Sequence, residues 1–266
     1  MASEADAQAQ IELVKPVSEQ HREMSVAERE RWFYAIAAFG MLLLTAVGFR
    51  EFLLHGKSVG GAPMTAQILP LIVMHGLAML GWVLLFCVQS TLIVANRRRL
   101  HFRLGKIGAF LAGAVVLLGV TVAPLSAHYN PAAYDDFGGA RYFLALMWPE
   151  PVTFGVLVAI ALAYRHRLEV HRPMMLLATV GLMTGSLGRL PYWDALLRLV
   201  GGRVAVDLFG QMLVLGGILL VVHAAVTRRL NRYFLAGYGG QVMAVILSVA
   251  VANSAAWNRI AGLLVR

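Results

Sequence analysis

The chain has 266 residues, of which 59% are hydrophobic and 14% are charged, and its mean hydropathy is +0.70. Soluble domains have about 45–50% apolar and about 25% charged residues, so this composition excludes an ordinary soluble enzyme, a disordered chain and a disulfide-bonded scaffold. The net charge is +9, but the basic residues form short clusters between apolar runs. Such clusters are typical of loops that set membrane topology rather than of a nucleic-acid groove. We therefore expect a polytopic protein of the lipid bilayer, with no nucleic-acid partner.

The first 31 residues differ in composition from the rest of the chain, with seven acidic and four basic side chains. They lack a basic region followed directly by an apolar run, so we do not expect a cleaved signal peptide. We interpret residues 1–31 as a cytoplasmic acidic tail that is available to dock a membrane-protein partner. Ser25 and Glu28 have the spacing of a capping box, which predicts that a helix begins at Ser25.

Seven apolar runs follow the tail, and a helix that crosses a membrane needs about 20 such residues. The separations between the runs are short, and no internal repeat of domain size is visible. We therefore predict an all-α fold, in which residues 32–266 form a single bundle of about seven transmembrane helices. The predicted spans are 33–54, 68–95, 107–127, 143–164, 174–190, 204–226 and 240–263.

The distribution of lysine and arginine predicts the orientation, because short cytoplasmic loops carry an excess of both. The loops after the second, fourth and sixth spans hold 11 Lys and Arg residues, whereas the opposite side holds eight. We therefore predict a bacterial cytoplasmic membrane protein with its N-terminus in the cytoplasm and its C-terminus outside.

In the second span, three polar or amphipathic side chains recur every seven residues: His75, Trp82 and Gln89. Seven residues turn a helix through only about 20° less than two full turns, so the three side chains share one face. Such a face must contact protein, a cavity or a cofactor. Both a hydrogen-bonded seam between helices and ligand or proton chemistry at His75 are consistent with this pattern.

Five histidines fall near the two predicted membrane surfaces. His101, His171 and His223 come from three regions near the cytoplasmic side, and His75 and His128 fall towards the outer side. Two layers of histidines are what a pair of cofactors across a membrane requires. The alternative is that these histidines are solvated at the membrane surfaces.

A carboxylate at the start of the fourth span is flanked by two prolines. Glu150 lies between Pro149 and Pro151, and each proline removes a backbone donor from the helix. We expect a broken helix start in which Glu150 pairs with Arg141 or Arg189. Structural pairing is favoured over catalysis.

Three segments carry a resemblance to known proteins: His75 to Trp82 running on to Gln89, 100–105, and 171–175. They resemble a group of uncharacterised bacterial multi-helix membrane proteins, and their order is similar to that of transmembrane b-type diheme cytochromes. The resemblance covers about residues 71–190 and implies haem b held between histidines of neighbouring helices. Pro173 departs from the pattern, since it stands where a basic residue is expected.

Our first hypothesis is a haem-binding membrane protein that transfers electrons, with a quinone or another redox partner. If it is an enzyme, we expect a membrane-bound oxidoreductase. Three alternatives stay open: an ion-coupled carrier, a membrane zinc hydrolase and a non-catalytic assembly subunit. The predicted iron ligands are His75, His171 and His223, with His101 and His128 as further haem contacts and Trp82, Gln89, Glu150 and Arg189 as supporting or cavity-lining residues.

Overall fold

The computed structural model describes residues 24–55, 66–190 and 204–264, and all regular structure in these ranges is helical. The fold is therefore an all-α bundle, as predicted. In chain order, the helices are α1 (Val26–Gly48), α2 (Arg50–His55), α3 (Leu69–Val94), α4 (Arg98–Tyr129), α5 (Ala140–Met147), α6 (Pro149–Ala163), α7 (Leu168–Gly181), α8 (Thr184–Leu187), α9 (Val204–Thr227), α10 (Arg232–Ala252) and α11 (Ala255–Leu264). A 3-10 helix, Pro131–Phe137, connects α4 to α5.

The first helix begins where the capping pattern predicts. The Ser25 hydroxyl accepts a hydrogen bond from the backbone N–H of Glu28 at 3.2 Å, and α1 starts at Val26. The bond satisfies one of the backbone donors that a helix N-terminus leaves free. The last residues of the predicted tail are therefore helical, whereas residues 1–23 lie outside the described ranges.

Six helical segments of the described chain are long and apolar enough to cross a membrane. One of them is interrupted next to a proline: α5 and α6 together form a single segment with a break at Trp148, directly before Pro149. Proline cannot donate the backbone hydrogen bond that would continue a helix, so the break occurs where the sequence predicts it. The chain is compatible with an integral membrane protein. The six segments are Val26–Gly48, Leu69–Val94, Arg98–Tyr129, Ala140–Ala163, Phe209–Thr227 and Arg232–Ala252.

The fifth predicted span, 174–190, has a different form from the other six. It consists of α7 followed by the four-residue helix α8, and the helix is interrupted at Leu182 and Met183. Helix α7 is buried around most of its circumference, with Leu176, Leu177 and other side chains fully inaccessible. From residue 174 onward α7 carries no charged side chain, and such a segment is well suited to the centre of a bundle.

The last predicted span, 240–263, is displaced in the structure. Helix α10 begins earlier, because the Asn231 side chain caps its first turn, and it ends at Ala252. The Ser254 hydroxyl then accepts a hydrogen bond from the Trp257 N–H at 3.1 Å and starts α11 as a separate helix. Asn and Ser at 253 and 254 favour helix caps over helix interiors, and this preference explains the break.

Candidate functional site

The predicted face of α3 contacts neighbouring helices. Trp82 is 3% exposed, donates its Nε1–H to Thr179 Oγ1 at 3.1 Å, and packs edge-on against Phe154. One end of the face is held by Gln89, whose Nε2 donates to the backbone oxygen of His101 at 3.1 Å. These contacts involve α4, α6 and α7, so the face points into the bundle, as its spacing predicts.

His75 lies at the other end of this face, where α3, α4 and α6 converge. A Cβ atom added at Gly119 would lie 3.7 Å from His75 Cε1 and 2.8 Å from Pro151 Cβ, so the three helices are in close contact. The Nδ1 atom of His75 is buried and has no hydrogen-bond partner in the described structure. An orphaned imidazole nitrogen inside a bundle is costly, and it is a candidate ligand atom.

A second histidine site lies at the beginning of α4 and α7. His171 Nδ1 is 2.8 Å from the backbone oxygen of Ala161, and His101 is close enough to His171 for the two rings to interact electrostatically. A carbonyl can only accept a hydrogen bond, so Nδ1 of His171 carries the hydrogen and neutral Nε2 keeps its lone pair. The Nδ1 atom of His101 is buried without a partner among the described residues. Two of the three predicted inner histidines are therefore within electrostatic range of each other.

The third, His223, has a separate environment. It is 2% exposed, and its Nε2 lies 3.4 Å from Glu30 Oε1, while Glu30 Oε2 accepts a hydrogen bond from Arg172 Nη1 at 2.6 Å. We call Glu30, Arg172 and His223 the inner ion cluster. The sequence assigned Glu30 to the cytoplasmic acidic tail, although the helix start predicted at Ser25 was a signal that Glu30 belongs to the bundle. The rings of Phe33, Tyr34 and Phe234 surround the imidazole, with centroids 5.2, 5.8 and 5.4 Å away.

Two other predicted site residues lie apart from these histidines. His128 is exposed and packs edge-on against Tyr129, with ring centroids 5.0 Å apart. The Arg189 guanidinium donates to the backbone oxygen of Gly185 and lies 4.4 Å from the centre of the Phe49 ring. None of these contacts of His128 and Arg189 involves His75.

The predicted ion pair of Glu150 does not form within the described chain. Arg189 is engaged as above, and the Arg141 guanidinium lies near Gly262 instead. Glu150 is half-buried, and its carboxyl group lies close to the Thr184 side chain, whose hydroxyl donates to the backbone oxygen of Gly181 at 3.3 Å. The polar group beside Glu150 is thus a hydroxyl rather than a guanidinium.

A small cavity of about 30 Å³ lies beside Glu150, between α6, α7, α9 and α10. The sequence analysis missed three polar residues that line it, Thr153, Gln241 and Ser248. Gln241 is a single amide in an apolar run, and this pattern indicates a buried polar site. The sequence does not reveal the other members of the site, because they come from helices distant in sequence.

No three His, Cys, Asp or Glu side chains come close enough to hold a metal ion in the part of the chain that the structure describes. No protein family, curated protein or solved structure matches the chain. Its class therefore follows from the fold itself: an α-helical membrane bundle with isolated polar sites in its interior.

Proposed function

We propose that the protein binds haem b and transfers electrons within the membrane, exchanging them with a quinone or another redox partner. The observation that carries the proposal is the hydrogen bond from His171 Nδ1 to the Ala161 carbonyl, within electrostatic range of His101. A histidine that ligates a metal usually donates its other ring N–H to a carbonyl or carboxylate, which sets the tautomer and the ring direction.

Histidines that would hold haem lie at two levels of the bundle. His101 and His171 would hold an inner group, and His75, with its unpartnered Nδ1, would ligate an outer one. Exposed Arg98 and Arg99, which precede His101 on α4, supply positive charge for propionates. When bound, haem iron with histidine ligands accepts and releases single electrons.

His223 fits this role less well than the sequence suggests. Its Nε2 already faces the Glu30 carboxylate, and three aromatic rings occupy the space around its imidazole. His128 is exposed beside Tyr129. We therefore propose His75, His101 and His171 as the ligands, and a structural role for His223.

The carrier hypothesis predicts a continuous polar path, and the described residues offer less support for it. Gln89 bonds to the His101 backbone near one end of the bundle, whereas Arg189 is bound to Gly185. Glu150 belongs to a third location. Gln89, Arg189 and Glu150 thus lie at three separate places with different partners, and they do not form a continuous path.

Absorption spectroscopy of protein purified from haem-replete cells tests the proposal. We expect a Soret band and an α band that appears on reduction. His171→Ala should lower the haem content, because an iron ligand is lost, whereas His166→Ala should leave it unchanged. His166 is the matched control, since it is exposed in the turn just before α7.

A colourless wild-type preparation from such cells would reject haem binding. Transport assays in proteoliposomes would then test the carrier hypothesis.

A further inference from the structure

The cavity beside Glu150 has a lining of unusual composition for the interior of a membrane bundle. Its polar side chains are Glu150, Thr153, Gln241 and Ser248, and no other charged residue is part of the described lining. The rest of the wall is apolar, with Phe154, Phe209 and Met212 among its members. A volume of about 30 Å³ has room for one or two water molecules or one small ion.

The lining presents acceptor oxygens to the cavity. Gln241 Nε2 donates to the backbone oxygen of Leu177 at 2.9 Å, and Ser248 Oγ donates to that of Val245 at 2.7 Å. Both side chains thus donate to a backbone carbonyl, and their oxygens keep lone pairs that can accept. Gln241 is only 2% exposed, and its Oε1 is buried without a hydrogen-bond partner in the described structure.

Glu150 adds a carboxyl group to these acceptors. The ion pairs formed by the described residues do not include it, and the nearby Thr184 hydroxyl donates to the Gly181 backbone oxygen, so the carboxylate oxygens of Glu150 have lone pairs available. The nearest approach of His75 is to the adjoining residue: a Cβ atom added at Gly119 would lie 3.7 Å from His75 Cε1 and 2.8 Å from Cβ of Pro151, which follows Glu150. An intramembrane carboxylate without a cation is expensive, so a positive ligand is the simplest way to satisfy it.

We propose that Glu150 and Gln241 form a binding site for one small monovalent cation, either Na⁺ or H⁺. Sodium would be coordinated by the carboxylate, the Gln241 carbonyl oxygen and the hydroxyl oxygens of the lining, since hard cations prefer oxygen ligands. A proton would neutralise the carboxylate, and the resulting O–H group would donate to Gln241 Oε1 directly or through one water molecule. Either ligand satisfies both the charge of Glu150 and the orphaned acceptor of Gln241. The site is independent of haem binding.

Labelling with dicyclohexylcarbodiimide tests the site, because this apolar reagent reacts with protonated carboxyl groups inside membranes. The full-length protein is labelled over a range of pH, with either sodium or choline chloride, and the modified residue is mapped by mass spectrometry. We expect Glu150 to be labelled in choline chloride. If Na⁺ is the ligand, about ten times its dissociation constant should slow labelling about tenfold. If H⁺ is the ligand, labelling falls as the pH rises and Na⁺ has no effect.

Matched variants assign the effect to this site. Glu150→Gln should abolish the label, whereas Glu169→Gln, which changes an exposed carboxylate at the start of α7, should leave it intact. Gln241→Leu keeps the carboxylate and removes the carbonyl oxygen. It should therefore raise the Na⁺ concentration needed for protection, or lower the pH at which labelling falls.

Two results would overturn the proposal. One is the absence of label on Glu150 at every pH in choline chloride. The other is a Gln241→Leu protein that responds to both Na⁺ and pH as the wild type does.

Discussion

The histidines of this protein have different roles because their ring nitrogens have different neighbours. His171 is oriented by a backbone carbonyl through Nδ1, and His223 faces a carboxylate through Nε2, whereas Nδ1 of His75 and Nδ1 of His223 are buried with no partner in the described structure. All three stand in apolar or interfacial stretches of sequence and are indistinguishable by residue type. The partner atom decides which ring nitrogen of each histidine has a lone pair available for a ligand.

The inner ion cluster predicts a large effect for a small change. Glu30→Gln should lower the free energy of unfolding by about 1–3 kcal/mol, because Arg172 and His223 lose the carboxylate that they share while remaining largely buried. Thermal unfolding in detergent, followed by tryptophan fluorescence, measures the change. Glu28→Gln is the control, since Glu28 is exposed two residues earlier in α1 and should change stability by less than about 0.5 kcal/mol. Equal effects of the two substitutions would show that the cluster does not stabilise the fold.

Helix α1 is held against α8 by a contact between glycine and backbone. A Cβ atom built on Gly48 would lie 2.2 Å from the backbone oxygen of Ser186, a distance that no side-chain rotation can relieve. The buried Thr45 hydroxyl, one turn earlier, lies 3.6 Å from Met183 Sδ and extends the same interface. The position of the short helix α8 therefore depends on the absence of a side chain at residue 48.

We predict opposite effects for the same substitution at two glycines of α1. Gly48→Ala should destabilise the protein by about 1–3 kcal/mol, because α1 and α8 must move apart. Gly40→Ala should be neutral or stabilise by up to about 1 kcal/mol, since alanine favours helix and nothing lies within 4 Å of its new Cβ. Melting temperatures of the two variants provide the comparison. A Gly48→Ala protein as stable as Gly40→Ala would contradict the close contact of α1 with α8.

The described bundle combines six long apolar segments, one of them interrupted between α5 and α6, with a further interrupted segment formed by α7 and α8. Helix α7 packs mainly against α6 and α10, and its neighbours cover most of its surface. Lipid does not solvate polar backbone groups, so an interrupted helix is tolerated where protein surrounds it. This central position explains how a segment with a break at Leu182 and Met183 fits into a membrane bundle.

The predicted topology is tested by the location of the two termini. If α7 and α8 complete a seventh crossing, the N-terminus is cytoplasmic and the C-terminus is outside, as the lysine and arginine distribution predicts. Single cysteines introduced near each end, in a background with Cys87→Ser, can be labelled with a membrane-impermeant maleimide in intact cells. Only the C-terminal cysteine should react before lysis. Reaction of both would place the termini on one side and would indicate that α7 and α8 enter and leave the membrane on the same side.

The sequence by itself determined the class of fold and the approximate position of most helices. Apolar runs of about 20 residues require helices in a bilayer, because no water is present to bind an open backbone. Local chemistry also predicted two helix boundaries correctly, the cap at Ser25 and the break before Pro149. It likewise predicted that Trp82 and Gln89 share a face that contacts other helices. These features depend on residues within a few turns of one another.

Only the tertiary structure decided the partners of the polar side chains. Glu30 meets Arg172 and His223 across separations of 142 and 193 residues, and Gln241 reaches Leu177 across 64. The expected pairing of Glu150 with an arginine was wrong within the described chain, because Arg189 is already bound to the turn that precedes it. A polar residue in an apolar run reveals that it needs a partner, whereas the identity of that partner depends on which helices pack together.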